Sequence, residues 1–149
     1  MSETFAIRSY HVVVDATPES VYDFVSDVSN MPRWAIHFCK AIRLVDGGGI
    51  VTTPTGEMFF AITGDREAGV IDWWAGPNKE NAERWPTRVV TLPDGRSLYQ
   101  VTAVLRNPLP PNLDQHFADE LGMIREIVES QLARAWDDHS ESSKPLEHV

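Results

Sequence analysis

The sequence predicts an α+β domain in which an antiparallel sheet of about seven strands packs on a long C-terminal helix, with two short helices after the first strand. Three observations support this prediction. A β-rich opening is followed by a helix start, residues 38–105 form consecutive β-type runs, and residues 112–137 have apolar positions at helical spacing. A chain of 149 residues suffices for one domain, which we expect at 1–137, followed by a polar tail at 138–149.

The first helix is expected directly after the opening β-rich segment, which runs from Thr4 to Val14. Thr17 is a favourable N-cap, and Pro18 suits the first helical position, where its missing N–H costs nothing. Apolar residues then fall at i, i+3, i+4 and i+7, at Val21, Phe24, Val25 and Val28. A second short helix is expected at 31–36.

The middle of the chain predicts strands that are joined by tight turns. Turn sequences containing glycine separate the β-type runs at 46–49, 54–56, 64–69 and 93–95. These connections are too short for the crossovers that parallel strands require, so the sheet should be antiparallel. About six strands are expected here, and the opening segment should complete the sheet.

The longest helix is predicted from Asn112 to Asp137. Asn112 and Gln115 resemble a capping box at its start. Apolar residues then repeat at steps of three or four, at Phe117, Leu121, Ile124, Val128, Leu132 and Ala135. Gly122 in mid-helix costs about 1 kcal/mol relative to Ala, which suggests that another backbone approaches closely or that the helix bends there.

The composition argues against several classes of partner. With 22 acidic and 13 basic residues the net charge is -9, so nucleic acid and an anionic membrane surface are poor partners. No apolar run approaches the roughly 18 residues of a membrane span, and the start lacks the pattern of a secretion leader. A single cysteine, Cys39, and the absence of zinc spacing or of P-loop, GxGxxG and GxSxG motifs predict a cytoplasmic protein with neither metal nor cofactor.

Two adjacent indoles in the stretch IDWWAGP, residues 71–77, raise the question of which one faces the interior. Neighbouring strand residues point to opposite faces of a sheet, so Asp72 shares its face with Trp74. Because an isolated Asp favours water, Trp73 should face inward and Trp74 outward. The same parity places three more aromatic residues on the inner face, namely Phe60, Trp85 and Tyr99.

Six residues are therefore predicted to surround an interior site for an apolar ligand. They are Trp34, near the mouth, with Phe60, Trp73, Trp85 and Tyr99 from the sheet and Met123 from the long helix. The alternative is that these side chains fill an ordinary core, in which each aromatic ring buries about 150–250 Å². The outward Trp74 is either singly exposed or covered by a partner subunit, which leaves a homodimer as an option.

Two segments carry a resemblance to a known group of proteins. The segments VVVDATPESVYDFVSDVSNMPRWA at 12–35 and FADELGMIREIVESQLARA at 117–135 are similar to the START-related, Bet v 1-like (SRPBCC) superfamily, in its polyketide cyclase/dehydrase-like branch. The resemblance covers residues 5–137 and implies the helix-grip fold, in which a curved sheet wraps around the long C-terminal helix and a cavity for an apolar small molecule lies between them. It implies fold more strongly than chemistry.

Two functions follow as hypotheses. The first is binding or carriage of an apolar or aromatic small molecule without turnover, with apolar burial as the main source of affinity. The second is an enzyme that resembles polyketide cyclases and dehydratases, with Tyr99, His116 or Arg88 polarising a carbonyl or moving a proton. His37 is a further candidate acid or base, since neutral imidazoles suit proton transfer near pH 7.

Overall fold

A computed structural model describes residues 4–143, with side chains as far as residue 135. The predicted fold class is confirmed. The elements follow in the order β1 (Phe5–Val14), α1 (Pro18–Val25), α2 (Met31–Trp34), β2 (Ala41–Val45), β3 (Gly48–Thr53), β4 (Gly56–Asp65), β5 (Val70–Gly76), β6 (Glu83–Trp85), β7 (Thr87–Thr91), β8 (Ser97–Arg106) and α3 (Leu113–Ser143). Single 3-10 turns at Val28–Asn30 and Lys79–Asn81 precede α2 and β6.

Helix α1 begins as its sequence predicts. The Thr17 side chain accepts a hydrogen bond from the Ser20 backbone N–H at 3.2 Å, and Pro18 occupies the first turn. Val21, Phe24 and Val25 are buried on the face toward the sheet and α3. The second helix is shorter than expected, because α2 ends at Trp34 and residues 35–39 continue as turns.

The sheet has eight strands, one more than the sequence predicts, and every pairing is antiparallel. Its order is β1-β8-β7-β5-β4-β3-β2, and β6 also pairs with β5. Pro86 separates β6 from β7, because proline has no N–H to donate to a ladder. The two short strands therefore follow one another along β5, where the sequence suggests a single strand.

Helix α3 lies on the inner face of the sheet. Phe117, Leu121, Ile124 and Val128 are buried there. At its start, the Tyr10 ring stacks on Phe117 with centroids 4.3 Å apart, and the Tyr10 hydroxyl donates to Asp114 Oδ1 at 2.6 Å. These contacts fix the helix against β1.

Three expectations about α3 are corrected. Asn112 has φ 62, whereas an N-cap is extended, and the Gln115 side chain donates to Asp119 rather than back to Asn112, so the capping-box interpretation is wrong. A Cβ on Gly122 would meet nothing within 4 Å, so no other backbone approaches it. The helix continues to Ser143, beyond the predicted end at Asp137.

Candidate functional site

A chain of aromatic rings crosses the interior from the sheet to α3. Trp73 lies at its centre, with its ring centroid 5.4 Å from that of Trp34, 5.8 Å from Phe60 and 6.2 Å from Trp85. Phe60 also contacts Phe38, and Trp85 contacts Phe117, at 6.1 and 6.2 Å. We call these rings the aromatic cluster; its members are Trp34, Phe38, Phe60, Trp73, Trp85 and Phe117.

The structure brings the six predicted ligand-binding residues to one region. Trp34, Phe60, Trp73 and Tyr99 are buried in the core, and Trp85 and Met123 are half-buried and pack against it. The rings are in direct contact with one another, which is also what a filled core would show. A groove of about 340 Å³ lies elsewhere, on the surface between α1 and α3, over Phe24, Val128 and Leu132.

Three buried polar atoms in this interior have no hydrogen-bond partner of normal geometry among the residues that the structure describes. They are Trp34 Nε1, Trp73 Nε1 and the Tyr99 hydroxyl oxygen. Buried polar groups in native proteins are nearly always bonded, so each exception calls for an explanation. These three donors are therefore the atoms most available to a bound molecule.

The Tyr99 hydroxyl is fully buried at the centre of this region. Burial raises the pKa of Tyr99 well above its usual value, and the nearby side chains of Thr87 and Trp73 only partly oppose that shift. The hydroxyl therefore keeps its proton at every physiological pH. Thr87 in turn donates from its own hydroxyl to the Ile71 carbonyl oxygen. Tyr99 is thus a neutral, buried hydroxyl in the interior, where the sequence predicts it.

Arg88 lies on the outer face of the sheet, away from the aromatic cluster. Its guanidinium is 3.7 Å from one carboxylate oxygen of Asp72, and that of Arg84 is 3.7 Å from the other. Asp72 is outward, as parity predicts, but these two cations shield it from water. The fold therefore directs Arg88, a predicted catalytic residue, away from the interior.

Trp74 also lies on the outer face, and its contacts are within the chain. Its Nε1 donates to Thr63 Oγ1 at 2.9 Å, and the Arg84 guanidinium carbon lies 5.6 Å from its ring centroid. The indole is half-buried rather than freely exposed. These contacts account for an outward Trp without a partner subunit.

A group of four polar residues joins the turn after α2 to the first turns of α3. The His37 and His116 rings stack with centroids 4.0 Å apart, and His37 Nε2 lies 2.8 Å from Asp119 Oδ2. Glu120 Oε2 accepts the backbone N–H groups of His37 and Phe38, each at 3.0 Å. We call His37, His116, Asp119 and Glu120 the polar junction.

The two carboxylates of the polar junction have opposite pKa shifts. Hydrogen bonds from His37 and then Gln115 lower the pKa of Asp119 below its usual value. Burial raises the pKa of Glu120, although the amides of Phe38 and His37 partly offset it. Because Asp119 is ionised and only accepts, His37 Nε2 must be the protonated nitrogen, which leaves Nδ1 as the basic one.

The sequence singles out His37 and His116 but does not predict their partners. Asp119 and Glu120 lie more than 80 positions from His37, and nothing in the local pattern of α3 separates them from its other acidic residues. Of these two residues that the sequence does not single out, Glu120 is the more informative. Its side chain is buried, although the helical period places it at the edge of the apolar stripe of α3.

Among the side chains of residues 4–135, no three His, Cys, Asp or Glu are grouped so that they could hold a metal ion. No helix in this part of the chain is both long enough and apolar enough to cross a bilayer. Cys39 is a buried free thiol whose pKa burial raises, which disfavours a nucleophilic thiolate.

Three solved structures illustrate how far the fold is shared. Ara h 8.0201 is 14% identical with a TM-score of 0.62, covering 88% of this chain and 99% of its own. The Zhui aromatase/cyclase from Streptomyces sp. R1128 is 10% identical with a TM-score of 0.65, covering 87% and 96%. The Aha1 dimer from Colwellia psychrerythraea is 14% identical with a TM-score of 0.63, covering 83% and 96%. At these identities the likeness concerns the fold alone.

A comparison of the sequence with protein-family models identifies the family of this chain. No curated protein matches the chain significantly. The family model described as polyketide cyclase / dehydrase and lipid transport, however, matches residues 14–119, from the end of β1 to the polar junction on α3. This range includes all six rings of the aromatic cluster and confirms the resemblance that residues 12–35 suggest. The chain therefore belongs to the polyketide cyclase / dehydrase and lipid transport family.

Proposed function

We propose that the protein binds an apolar or aromatic small molecule among the rings of the aromatic cluster, between the sheet and α3. The observation that carries this proposal is the central position of Trp73, whose indole contacts three other rings at 5.4–6.2 Å. A planar ligand inserted there gains stacking contacts on several sides and buries its own apolar surface at about 25 cal/mol per Å².

Entry of a ligand requires the rings to separate, and we propose that the part of the site that belongs to no strand is the part that moves. Trp34 and Phe38 belong to residues 31–39, which pair with no strand of the sheet. We call residues 31–39 the α2 segment. It is held to α3 by the polar junction, whereas Phe60, Trp73 and Trp85 are fixed in paired strands. Displacement of the α2 segment therefore opens the cluster without breaking the sheet.

The adjacent indoles provide a matched test. Trp73→Phe replaces the central indole with a phenyl ring. Trp74→Phe makes the same replacement at the neighbouring residue, which lies on the outer face of the sheet. Both variants and the wild type would be titrated with a library of aromatic ligands, with dissociation constants measured by calorimetry. We expect Trp73→Phe to weaken binding about tenfold and Trp74→Phe to change it less than twofold. Equal effects of the two substitutions, or no binding to folded wild type, would contradict the proposal.

Carriage without turnover is the first form of this function, and an enzyme of the cyclase or dehydratase kind is the second. The polar junction favours the second, because His37 is oriented by ionised Asp119 and lies beside Phe38 of the aromatic cluster. Its Nδ1 is suited to removing a proton next to a ketone. His37→Gln should abolish cyclisation of a model poly-β-ketone while leaving its binding intact, whereas exposed His11→Gln should have no effect. Full activity of His37→Gln would remove this role.

We propose that the protein acts in the cytoplasm and that the small molecule is its partner.

We also propose a homodimer whose contact surface is the outer face of the sheet. Phe5, Ile7 and Val90 are large apolar residues exposed there. Sedimentation at micromolar concentration would settle the oligomeric state, and a monomer at all concentrations would exclude the dimer.

A further inference from the structure

We infer that two copies of this chain pair through the open edge of β1, strand against strand, so that their sheets join into one continuous sheet. This inference rests on the homodimer of the proposed function and specifies its contact. It narrows the contact surface to the border of the outer face that β1 forms, where Phe5 and Ile7 are 51% and 62% exposed. Binding of a small molecule in the interior does not depend on it.

Strand β1 has a hydrogen-bonded neighbour on one side only. It spans ten residues, Phe5–Val14, and pairs with β8, and within the part of the chain that the structure describes no strand lies on its other side. The opposite edge strand, β2, has only five residues. A long strand with unpaired N–H and C=O groups is a template for another strand. β1 is therefore the stronger pairing edge of this sheet.

The ladder between β1 and β8 shows which backbone groups of β1 point to the open edge. The Asn107 N–H donates to the Thr4 carbonyl oxygen, so these opposed residues form a hydrogen-bonded pair at the end of the ladder. Such pairs alternate along antiparallel strands, so even-numbered residues of β1 bond to β8 and odd-numbered residues direct their N–H and C=O groups outward. The Ile7 carbonyl oxygen fits this pattern, because it accepts from the Arg8 side chain. The outward residues are Phe5, Ile7, Ser9, His11 and Val13.

Two β1 strands related by a twofold axis run antiparallel, and their charges select the register. With the axis at Ser9, Arg8 lies opposite the partner's Tyr10, on the same face of the joined sheet. The Tyr10 hydroxyl is bonded to the Asp114 carboxylate at 2.6 Å, so the guanidinium of each copy approaches a negative group of the other. An axis moved by one residue would place Arg8 opposite the partner's Arg8, or bring the two Asp114 carboxylates together. Charge complementarity therefore favours the axis at Ser9.

The same register uses almost the whole strand. Phe5 lies opposite the partner's Val13, and Ile7 lies opposite the partner's His11, so both exposed apolar side chains contact the partner. The outward residues of the two copies then form about ten backbone hydrogen bonds. The Ile7 carbonyl oxygen exchanges its bond to the Arg8 side chain for one from the backbone N–H of the partner's His11. This exchange frees the guanidinium for the carboxylate of the partner.

A matched pair of cysteine variants tests the register. Ser9→Cys puts the two thiols at the axis, where the Cα atoms of a hydrogen-bonded pair are about 5.5 Å apart, within the reach of a disulfide. His11→Cys lies on the same face of β1 but separates the two thiols by about four residues of strand, roughly 13 Å, which is too far. After treatment with oxidised glutathione, Ser9→Cys should give at least about fivefold more disulfide-linked dimer than His11→Cys. Equal yields would overturn the inference. The buried native Cys39 is the same in both variants.

Sedimentation equilibrium separates this inference from the homodimer itself. Arg8→Glu reverses the charge that faces the partner's carboxylate and should weaken dimerisation about tenfold, whereas Arg43→Glu, an exposed residue of the other edge strand, should weaken it less than about twofold. A dimer that survives Arg8→Glu but is lost in Val90→Asn would overturn the edge contact and leave a homodimer that meets through the outer face. A wild-type monomer at all micromolar concentrations would overturn both the inference and the homodimer.

Discussion

The imidazole ring of His37 lies flat against that of His116, with centroids 4.0 Å apart and planes inclined by 9°. One ring comes from the turn after α2 and the other from the first turn of α3. The contact therefore joins the α2 segment, which carries two rings of the aromatic cluster, to the helix that forms the opposite wall. Changes at this contact should affect both the stability of the fold and access to its interior.

Loss of the stacked ring should destabilise the protein modestly. His116→Ala removes the ring contact with His37 and is expected to lower the free energy of unfolding by about 0.5–1.5 kcal/mol. Urea denaturation monitored by tryptophan fluorescence measures the change. Exposed His11 on β1 is the control, and His11→Ala should alter stability by less than about 0.5 kcal/mol. Equal losses in the two variants would show that the stack contributes nothing.

Asp119 should stabilise the fold only above acid pH. Hydrogen bonds from His37 and Gln115 lower its pKa below the ordinary value of 3.8, so the ionised form is favoured in the folded state. Its contribution is therefore present above the unfolded-state pKa and is lost as pH falls through the folded-state pKa. Asp119→Asn should be less stable than wild type at pH 6, and the two should converge as the pH falls through the folded-state pKa of Asp119, which lies below 3.8.

The exposed Asp46, in the turn between β2 and β3, gives a control for this pH dependence. Asp46→Asn should be as stable as the wild type at pH 6, where Asp119→Asn is destabilised. A constant difference between Asp119→Asn and wild type from pH 6 to pH 2 would mean that the charge of Asp119 has no part in its contribution.

Glu120 is expected to matter through the two backbone amides that it accepts. Glu120→Ala leaves the N–H of His37 without its acceptor, whereas the N–H of Phe38 keeps its bond to the Ala35 carbonyl oxygen, and the substitution should cost about 1–3 kcal/mol. Glu120→Gln keeps an acceptor oxygen and should cost less than about 1 kcal/mol at neutral pH. Thermal and urea unfolding of both variants compare the two effects. Equal losses would show that volume, rather than the acceptor, is what the site requires.

The pH dependence of Glu120 has the opposite sign to that of Asp119. Burial raises its pKa, so protonation favours the folded state, and this contribution is lost as pH rises through the folded-state pKa. Glu120→Gln has no such titration. Its stability relative to wild type should therefore increase as the pH rises above about 4.5. A flat difference across this range would contradict the raised pKa.

Two glycines with positive φ should respond differently to the same substitution. Gly69 has φ +70, and a Cβ there would collide with the Val89 carbonyl oxygen, so Gly69→Ala should cost about 2–4 kcal/mol. Gly95 has φ +89 but open space around it, so Gly95→Ala should cost about 1 kcal/mol from backbone strain alone. Chemical denaturation of both variants gives the comparison, and similar losses would contradict the role of the collision.

Sequence patterns predict the parts of this fold that depend on local periodicity. Strand parity places Trp73 inside and Trp74 outside, and the Thr17–Pro18 pair predicts the start of α1. The predicted number of strands is one too low, because the β-type residues on both sides of Pro86 read as a single strand. The end of α3 is missed because the apolar period stops before the helix does.

The candidate site is predicted only in part. The inward aromatic residues follow from parity, and their contacts with one another follow from the topology of the sheet. The lack of partners for Trp34 Nε1 and Trp73 Nε1 depends on side-chain positions that no pattern encodes. The polar junction depends on how the turn after α2 meets α3, across more than 80 residues of chain.

The attachment of the α2 segment sets how the interior exchanges with its surroundings. Backbone amides of His37 and Phe38 are bonded to a side chain of α3 rather than to a strand, so they can open without any rupture of the ladders. Such a local opening has a lower free energy than global unfolding. Hydrogen exchange at these two amides therefore measures how often the proposed binding site becomes accessible, and the residence time of a ligand bound there should scale with their protection.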